Sequence, residues 1–274
     1  MIPLANGEIF VTFDKSVGVV RSGKYCEVKG LFRPCRVLRG ACAVDNAGNV
    51  FFGEYLANNE RGGMRVYKYS PGSSRLESIF TFPSNSIKHI HGIYFDRFTN
   101  SLFCLTGDDD KECRITQTFD EFRTLETVGE GDETWRAVSL LFSAESLLYG
   151  MDAEFRDNHI LQFDRQSREQ RSLGQVSGPV YFSKQFSGEM FFTTTAENAP
   201  SQKENVAAIW NVDAQGKCEE IAKFRKDRWH RALFMFGTIH FPYTNTVEDG
   251  LYFYVVGAKG DGRSYRIRRS ETQS

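Results

Sequence analysis

Short runs of β-forming residues recur along the chain at a nearly even spacing, and this repeat constrains the fold more than any other feature. Each run holds four to six residues that favour strands and is followed by a small or polar cluster. The second residues of these runs are Ile9, Val50, Leu102, Leu147, Met190 and Leu251. The gaps of 41, 52, 45, 43 and 61 residues lie close to the length of a four-stranded propeller blade.

Further strand-like segments surround the repeated runs. The segments that precede them are 35–44, 89–95, 135–142, 180–186 and 233–241, and those that follow are 64–69, 113–118, 158–163, 208–212 and 265–268. More polar fourth segments follow at 75–82 and 218–224, and the best helical fragment, 197–205, is short.

The pattern predicts an all-β fold, a β-propeller of about six four-stranded blades. Five blades also fit, because the first blade lacks a clear first strand and the last lacks a clear fourth. The chain has no linker-like tract rich in Pro, Ser or Gly. We therefore expect one propeller domain over residues 1–274.

Composition excludes several classes of function. Aromatic residues make up 14% of the chain, with 24 Phe and 11 Tyr, which favours strands. The formal net charge is −1, so nothing in the overall charge indicates binding to nucleic acid or to an anionic membrane. No run of 18 apolar residues is present, so we expect no membrane span.

The cysteines and the N-terminal segment indicate the cellular compartment. Six cysteines occur without a CxxC pair, and several lie in apolar strand-like runs. This arrangement argues against a zinc cluster or a disulfide framework. No signal peptide is visible at the start of the sequence, because it has neither a basic nor an apolar leader region. We therefore expect a cytoplasmic protein.

One turn carries a family resemblance. Residues 118–125 read Thr-Phe-Asp-Glu-Phe-Arg-Thr-Leu, which resembles the Asp-box (BNR) pattern Ser-x-Asp-x-Gly-x-Thr-Trp of sialidase-like propellers. Thr118, Asp120 and Thr124 match the pattern, while Phe122 stands in place of the glycine and Leu125 in place of the tryptophan. The box is a structural turn on the side away from that family's active site, so it supports the fold rather than an activity.

Four other segments extend the resemblance over most of the chain. They are His89-Ile90-His91, Thr106-Gly107-Asp108, Trp135-Arg136-Ala137-Val138 and Gly178-Pro179-Val180-Tyr181. Together they look like sialidase-like propellers associated with bacterial surface polysaccharide. The resemblance implies a propeller fold and an association with surface polysaccharide, and it implies no particular activity.

The repeat also predicts which surface carries the chemistry. The first and second strands of a blade are antiparallel, so the start of the first and the end of the second open on the same side. Basic and aromatic residues begin the first strands, and acids end the second strands in four successive repeats. We therefore expect the site on one face of the central channel.

A histidine pair is the clearest candidate for catalysis or metal binding. His89 and His91 lie two apart on a predicted strand, so both side chains project to the same side. With Asp108 from the adjacent strand they could act in proton transfer or bind a divalent metal. They could equally be channel-lining histidines bonded to water and carboxylates.

Carboxylates and an arginine complete the predicted site. Glu54, Asp108, Asp152 and Glu197 could supply an acid–base pair for glycoside cleavage, which needs two carboxyls roughly 5–10 Å apart. They could also bond backbone N–H groups and neutralise neighbouring arginines. Arg136 beside Trp135 suits an anionic or sugar ligand. Neighbours on a strand point oppositely, and we expect Arg136 to face the channel.

These observations give one set of predicted site residues. The catalytic candidates are His89, His91, Asp108, Arg136 and Glu54; the substrate-binding candidates are Tyr55, Trp135, Asp152, Glu197, His230 and Arg231; and the candidate metal ligands are His89, His91 and Asp108. We predict a carbohydrate-active propeller, a glycoside hydrolase or polysaccharide lyase, whose partner is a carbohydrate or another small anionic ligand. The alternatives are a non-catalytic glycan- or protein-binding propeller and a metal-dependent lactonase-like hydrolase. The cofactor is unknown, a divalent metal being one candidate.

Overall fold

The computed structural model describes residues 1–13, 15–38, 40–229, 234–242 and 249–268. Its strands form six antiparallel sheets, five with four strands and one with three described strands. The predicted all-β propeller fold of about six blades is thereby confirmed. The chain divides into two compact units, residues 1–144 and 145–274, which are described separately below. The prediction of a single domain over 1–274 stays a prediction.

The first unit contains three complete sheets. Its strands are β1 (Ile2–Pro3), β2 (Ile9–Phe13), β3 (Ser16–Arg21), β4 (Lys24–Glu27), β5 (Ala43–Val44), β6 (Val50–Gly53), β7 (Met64–Tyr69), β8 (Glu77–Phe82), β9 (His89–Asp96), β10 (Ser101–Gly107), β11 (Arg114–Thr118), β12 (Glu126–Glu130) and β13 (Leu141–Phe142). The strands follow chain order in the sheets β1–β4, β5–β8 and β9–β12. Two three-residue 3₁₀ helices, Asp110–Glu112 and Glu133–Trp135, also lie in this unit.

The second unit repeats the same antiparallel pattern. Its strands are β14 (Ser146–Gly150), β15 (Asn158–Asp164), β16 (Gln170–Val176), β17 (Val180–Phe186), β18 (Glu189–Thr194), β19 (Val206–Val212), β20 (Cys218–Arg225), β21 (Thr238–His240), β22 (Gly250–Val256) and β23 (Ser264–Arg268). Strands β14–β16, β17–β20 and β21–β23 pair in chain order. The third strands predicted from the repeat thus lie within about two residues of β7, β11, β15, β19 and β23.

Burial explains why the inner strands read as apolar runs. All four residues of β6 and all seven of β10 are buried, because each inner strand is covered on both faces. One apolar cluster of the first unit includes Phe10 and Phe52, and a second includes Phe51 and Ile90. Burying each such side chain stabilises the fold by about 1.5–3 kcal/mol. The outer strand β8 has exposed positions, as the polar fourth segment predicts.

A buried carboxylate connects the first two sheets. Glu8 accepts hydrogen bonds from Tyr69 Oη at 2.6 Å, from Gly72 N–H at 3.1 Å and from Arg21 Nε at 2.5 Å. Burial alone raises the pKa of Glu8, but these donors outweigh it and lower the pKa to about 2. The ion pair therefore belongs to the folded packing of the first unit.

The observed elements differ from the prediction in four places. The first sheet does have a first strand, β1, which the repeat did not reveal because it is only two residues long. The predicted strand 135–142 is wrong over most of its length: Asp132 caps a 3₁₀ helix that ends at Trp135, and the strand is confined to β13. Among the described residues, the segment 35–44 is a strand only at β5, with an isolated bridge at Arg36, and the segment 233–241 is a strand only at β21.

The turn at residues 118–125 has a defined geometry. The Asp120 carboxylate accepts hydrogen bonds from Thr124 N–H at 2.9 Å and Thr124 Oγ1 at 2.8 Å, and Thr118 Oγ1 donates to it at 2.9 Å. Phe122 has a φ of 70°, a left-handed conformation that favours glycine. Its ring is buried in the second apolar cluster, and this packing offsets the backbone cost. A polar turn thus anchors the hairpin from β11 to β12.

All six cysteines are free thiols. Burial raises the pKa of Cys35 and of Cys42 to about 12, so neither thiol is ionised near neutral pH. In the part of the chain that the structure describes, no helix is long and apolar enough to cross a membrane.

Candidate functional site

A bulge in the hairpin of β9 and β10 places two histidines beside one carboxylate. His89 pairs with Gly107 and Ile90 with Thr106, but the register shifts between Thr106 and Leu105, so His91 has no Cα partner. Such bulges re-aim side chains. His89 and His91 are both buried, 5% and 2% exposed. Their imidazole centroids lie 5.1 Å apart.

Asp108 lies at the centre of this cluster. Its Oδ1 is 3.4 Å from His89 Nε2, 3.5 Å from His91 Nε2 and 3.5 Å from Arg136 Nη2. Its Oδ2 receives a much closer contact from Lys88 Nζ, at 2.7 Å. Oδ2 is thus held by a strong ion pair, whereas Oδ1 has only contacts too long for good hydrogen bonds.

The backbone and charge of Asp108 both mark it as unusual. Its φ of 117° is one that residues with a Cβ rarely adopt, and such strain often occurs at functional sites. Burial raises the pKa of Asp108, but the imidazoles of His89 and His91 and the ammonium of Lys88 outweigh it and hold the pKa well below its usual range. Asp108 is therefore an anion at neutral pH.

The two histidines differ in their hydrogen bonds. The carbonyl oxygen of Ala137 can only accept, so His91 Nδ1, 2.9 Å away, must carry a proton and donate it. Within the described residues, neither ring nitrogen of His89 has a hydrogen-bond partner, although both nitrogens are buried. Tyr55 lies against the His89 ring, with the centroids 4.1 Å apart. Buried polar groups normally have hydrogen-bond partners, and among the described residues the ring nitrogens of His89 have none.

Beside His89 opens a cleft of about 570 Å³, a volume in the range of small-molecule sites. The residues that line it are Lys15, Pro34, Cys35, Arg36, Tyr55, Leu56, Ala57, Asn59, Lys88 and His89. The charged residues among these are all cationic. Among the described residues, no carboxylate is paired with Lys15 or Arg36, and both are exposed. At these two positions the cleft therefore presents positive charge that no described carboxylate neutralises, which suits an anionic ligand.

Glu54, the other predicted catalytic carboxylate of this unit, makes different contacts. Its Oε2 accepts from Arg33 Nη2 at 2.6 Å and from Arg65 N–H at 3.0 Å, and its Oε1 accepts from Tyr67 Oη at 2.9 Å. The residue is fully buried. A catalytic role for Glu54 stays a prediction.

The remaining predicted residues have separate positions. The Trp135 indole covers Gly129 of β12, where an added Cβ would lie 2.2 Å from the ring. Arg136 contacts Asp108, and its Nη1 is 3.7 Å from Glu133. In the second unit, Asp152 is buried, and the Glu197 carboxylate accepts a hydrogen bond from Thr195 at 2.8 Å. The predicted residues His230 and Arg231 lie outside the described residues.

Sequence reasoning missed two lysines of this site. Lys88 makes the shortest contact to Asp108, and its N–H is held by Glu112 at 2.9 Å. Lys15 lines the cleft from the end of β2. The position of Lys88 directly before His89 could have indicated a role, but nothing in the sequence places Lys15 there.

Comparison with known proteins supports the fold. No family model and no curated protein matches the chain. A TolB candidate from Agrobacterium tumefaciens matches at a TM-score of 0.56 and 10% identity, over 80% of this chain and 78% of that one. TolB from Acinetobacter baumannii matches at 0.52 and 11% identity, over 93% of this chain and 60% of that one. A prolyl endopeptidase matches at 0.57 and 9% identity, over 93% of this chain and 39% of that one.

These similarities define the class of protein as a six-bladed β-propeller. At 9–11% identity they show the fold alone, and one fold can serve many functions. This chain spans well under two thirds of the prolyl endopeptidase. The function must therefore be argued from the site.

Proposed function

We propose that this chain is a carbohydrate-active propeller enzyme that binds an anionic polysaccharide in the cationic cleft and cleaves it beside His89. The observation that carries the proposal is the cleft of about 570 Å³, in which every charged lining residue that the structure describes is cationic. Lys15 and Arg36 can form ion pairs with carboxylate or sulfate groups of a sugar. Tyr55 and Leu56 add apolar surface for a sugar face.

The cluster beside the cleft supplies groups for proton transfer. His89 belongs to both the cleft lining and the cluster, so the reacting bond would lie next to it. A neutral His89 can take a proton, and the Asp108 anion would stabilise the imidazolium that results. Asp108 itself is ill suited as a general acid, because its pKa lies far below neutrality. We therefore assign proton transfer to His89 and charge stabilisation to Asp108, with Arg136 as a further cation at the cluster.

Two bond-breaking reactions fit this arrangement. In an elimination, the base removes the proton next to a uronate carboxylate, the glycosidic C–O bond breaks, and the leaving oxygen takes a proton. In a hydrolysis, water adds across the same bond. Cations that neutralise the uronate acidify the neighbouring C–H, so the cationic cleft favours the elimination.

A charge-matched pair of variants tests the cleft. Lys15→Ala/Arg36→Ala removes two cleft cations, whereas Lys24→Ala/Lys29→Ala removes two exposed cations of the same unit that do not line it. In calorimetric titrations with a defined acidic oligosaccharide, we expect the cleft pair to weaken binding at least about tenfold, since about 1.4 kcal/mol is one decade. The control should bind like the parent. Equal binding by both variants would contradict the proposal.

Product analysis tests catalysis. An elimination gives an unsaturated sugar that absorbs ultraviolet light, and a hydrolysis gives a new reducing end without that absorbance. His89→Ala should abolish whichever product the parent forms. If the parent binds the oligosaccharide through the cleft but forms neither product, the non-catalytic glycan-binding alternative replaces the enzyme.

Several finer assignments remain part of this proposal. They are membership of the sialidase-like superfamily, the association with surface polysaccharide and the cytoplasmic location. The polar turn at Asp120 supports the first of these. None of them is needed for the binding experiment.

A further inference from the structure

We propose that His89, His91 and Asp108 form a binding site for a divalent first-row transition metal ion, with Nε2 of each histidine and Oδ1 of the carboxylate as ligands. The inference deepens the proposed function by naming a cofactor for the same cluster, and it rests on that function only in sharing these residues. An ion there would bind without any saccharide.

The distances from the carboxylate oxygen to the two imidazole nitrogens fit an ion better than they fit hydrogen bonds. His89 Nε2 and His91 Nε2 lie 3.4 and 3.5 Å from Asp108 Oδ1. Ligands bound tetrahedrally at 2.0–2.1 Å stand about 3.3–3.4 Å from one another, by simple geometry. The three side chains can each offer one ligand atom, all within 4.8 Å of one another.

The hydrogen bond of His91 fixes which nitrogen faces the carboxylate with a lone pair. His91 Nδ1–H donates to the Ala137 carbonyl oxygen, so a neutral ring has its lone pair on Nε2, facing Asp108 Oδ1. Two acceptors that face one another repel unless a proton or a metal ion lies between them. Histidine ligands of metals generally donate their other N–H to a carbonyl or carboxylate in this way.

His89 provides an independent observation. It is buried to 5% exposure, and neither of its ring nitrogens has a hydrogen-bond partner among the described residues. Leaving such a group unsatisfied is unfavourable. An ion at Nε2 would give that nitrogen a partner.

The neighbouring cationic side chains hold the Asp108 carboxylate in position but do not occupy the proposed ion position. Lys88 Nζ binds Asp108 Oδ2 at 2.7 Å and leaves Oδ1 free of close contacts. Arg136 lies 3.5 Å from Oδ1, and Glu133 lies 3.7 Å from its guanidinium. A guanidinium beside an ion with open coordination positions would favour an anion, such as hydroxide or a sugar carboxylate, as the next ligand.

The ligand set selects the class of ion. Imidazole suits zinc, copper, iron and nickel, whereas calcium and magnesium prefer oxygen ligands alone. Three protein ligands with open positions are the arrangement of catalytic rather than structural zinc sites. Zn²⁺ is therefore the probe for binding, and Co²⁺ reports coordination through its visible spectrum.

Calorimetric titration of chelator-treated full-length protein with Zn²⁺ tests the site. We expect one ion per chain, not displaced by excess Mg²⁺. His91→Ala and the shape-conserving Asp108→Asn should each weaken binding at least about a hundredfold, near 2.7 kcal/mol. His159→Ala, which removes a histidine whose ring hydrogen-bonds to Ser172 in β16, should bind like the parent. Absence of Zn²⁺ binding, or equal binding by parent and Asp108→Asn, would overturn the inference.

Two crossed measurements separate this inference from the proposed function. Lys15→Ala/Arg36→Ala should bind Zn²⁺ and give the Co²⁺ spectrum like the parent while losing oligosaccharide affinity. One-to-one Zn²⁺ binding by a parent that neither binds nor cleaves acidic oligosaccharides would refute the function and leave the ion site standing. Full turnover by chelator-treated protein that binds no Zn²⁺ would refute the ion site and leave the proposed function standing.

Discussion

Two carboxylates of the first unit, the buried Glu54 and the half-buried Asp108, looked alike in the sequence and have opposite surroundings in the structure. Both follow the second strand of a sheet, and both were predicted as catalytic groups. Glu54 accepts three hydrogen bonds of 2.6–3.0 Å, which use both of its oxygens. Asp108 has one close partner, Lys88, and three contacts of 3.4–3.5 Å to a single oxygen.

Glu54 lies in a completed hydrogen-bond network, in which both carboxylate oxygens have close donors. Asp108 lies in an open network, in which Oδ1 has only long contacts. Around Glu54 every close donor belongs to the fold, and removing the carboxylate leaves those donors buried without an acceptor. Around Asp108 the contacts to Oδ1 are long, and among the described residues the ring nitrogens of His89 have no hydrogen-bond partner. A completed network contributes mainly to the stability of the fold. An open network suits the binding of a ligand or an ion. The free energies of unfolding of variants at these positions test this difference.

The largest effect should come from Glu54→Gln. The amide cannot serve all three donors, and it leaves the Arg33 guanidinium without a counter-ion. We expect the free energy of unfolding to fall by about 3 kcal/mol, measured by urea denaturation. Glu60→Gln, an exposed acid in the same unit, should change it by less than about 0.5 kcal/mol. A loss below about 1 kcal/mol for Glu54→Gln would mean that its network is not structural.

Acid should weaken the second completed network, that of Glu8. Its folded-state pKa, about 2, lies below its ordinary value of 4.5, so the unfolded chain binds the proton more readily. The stabilisation is therefore complete above pH 4.5 and is lost as the pH falls towards 2. We expect a loss of about 2 kcal/mol across that window. Glu8→Gln should lack this part of the pH dependence, and an unchanged acid limb in that variant would contradict the assignment.

The repeat sufficed to predict the fold because it reflects burial. The inner strands β6 and β10 are covered on both faces, so their sequences are continuous apolar runs that recur at the blade spacing. The elements that were mispredicted are short or fixed by side-chain caps. Strand β1 has two residues, and the Asp132 carboxylate, which accepts from Thr134 N–H, begins a 3₁₀ helix where a strand was expected.

The site was predictable only in part, for a related reason. The alternation of a strand placed His89 and His91 on one side, and the antiparallel hairpin brought Asp108 to them. Whether the fold supplies close hydrogen-bond donors to both oxygens of a carboxylate depends on contacts from segments that are distant in the sequence. Arg33 reaches Glu54 across 21 residues, and Arg136 reaches Asp108 across 28. No local pattern in the sequence encodes those contacts.

A smaller effect is expected from Gly107→Ala, which tests how tightly the open cluster is packed. An added Cβ would lie 3.1 Å from Arg136 Cγ and from His91 Cε1, so both side chains would have to shift. We expect a loss of about 1 kcal/mol in stability and a clear loss of Zn²⁺ affinity. Gly62→Ala is the control, because its Cβ would make only an ordinary contact, 3.4 Å from Asn58 Oδ1. Normal Zn²⁺ binding by Gly107→Ala would show that the cluster tolerates displacement of these side chains.

The smallest change in stability should come from Asp108→Asn, although its charge lies at the centre of the cluster. Lys88 is 28% exposed and can be solvated when its partner is neutral, so the lost ion pair should cost less than about 1 kcal/mol. Asparagine also tolerates the positive φ of this position better than most residues do. Urea denaturation beside Glu54→Gln gives the comparison directly. If Asp108→Asn costs as much as Glu54→Gln, both carboxylates serve the fold. If it costs little while His89-dependent turnover and Zn²⁺ binding disappear, the fold of the first unit tolerates an unsatisfied cluster because its binding function requires one.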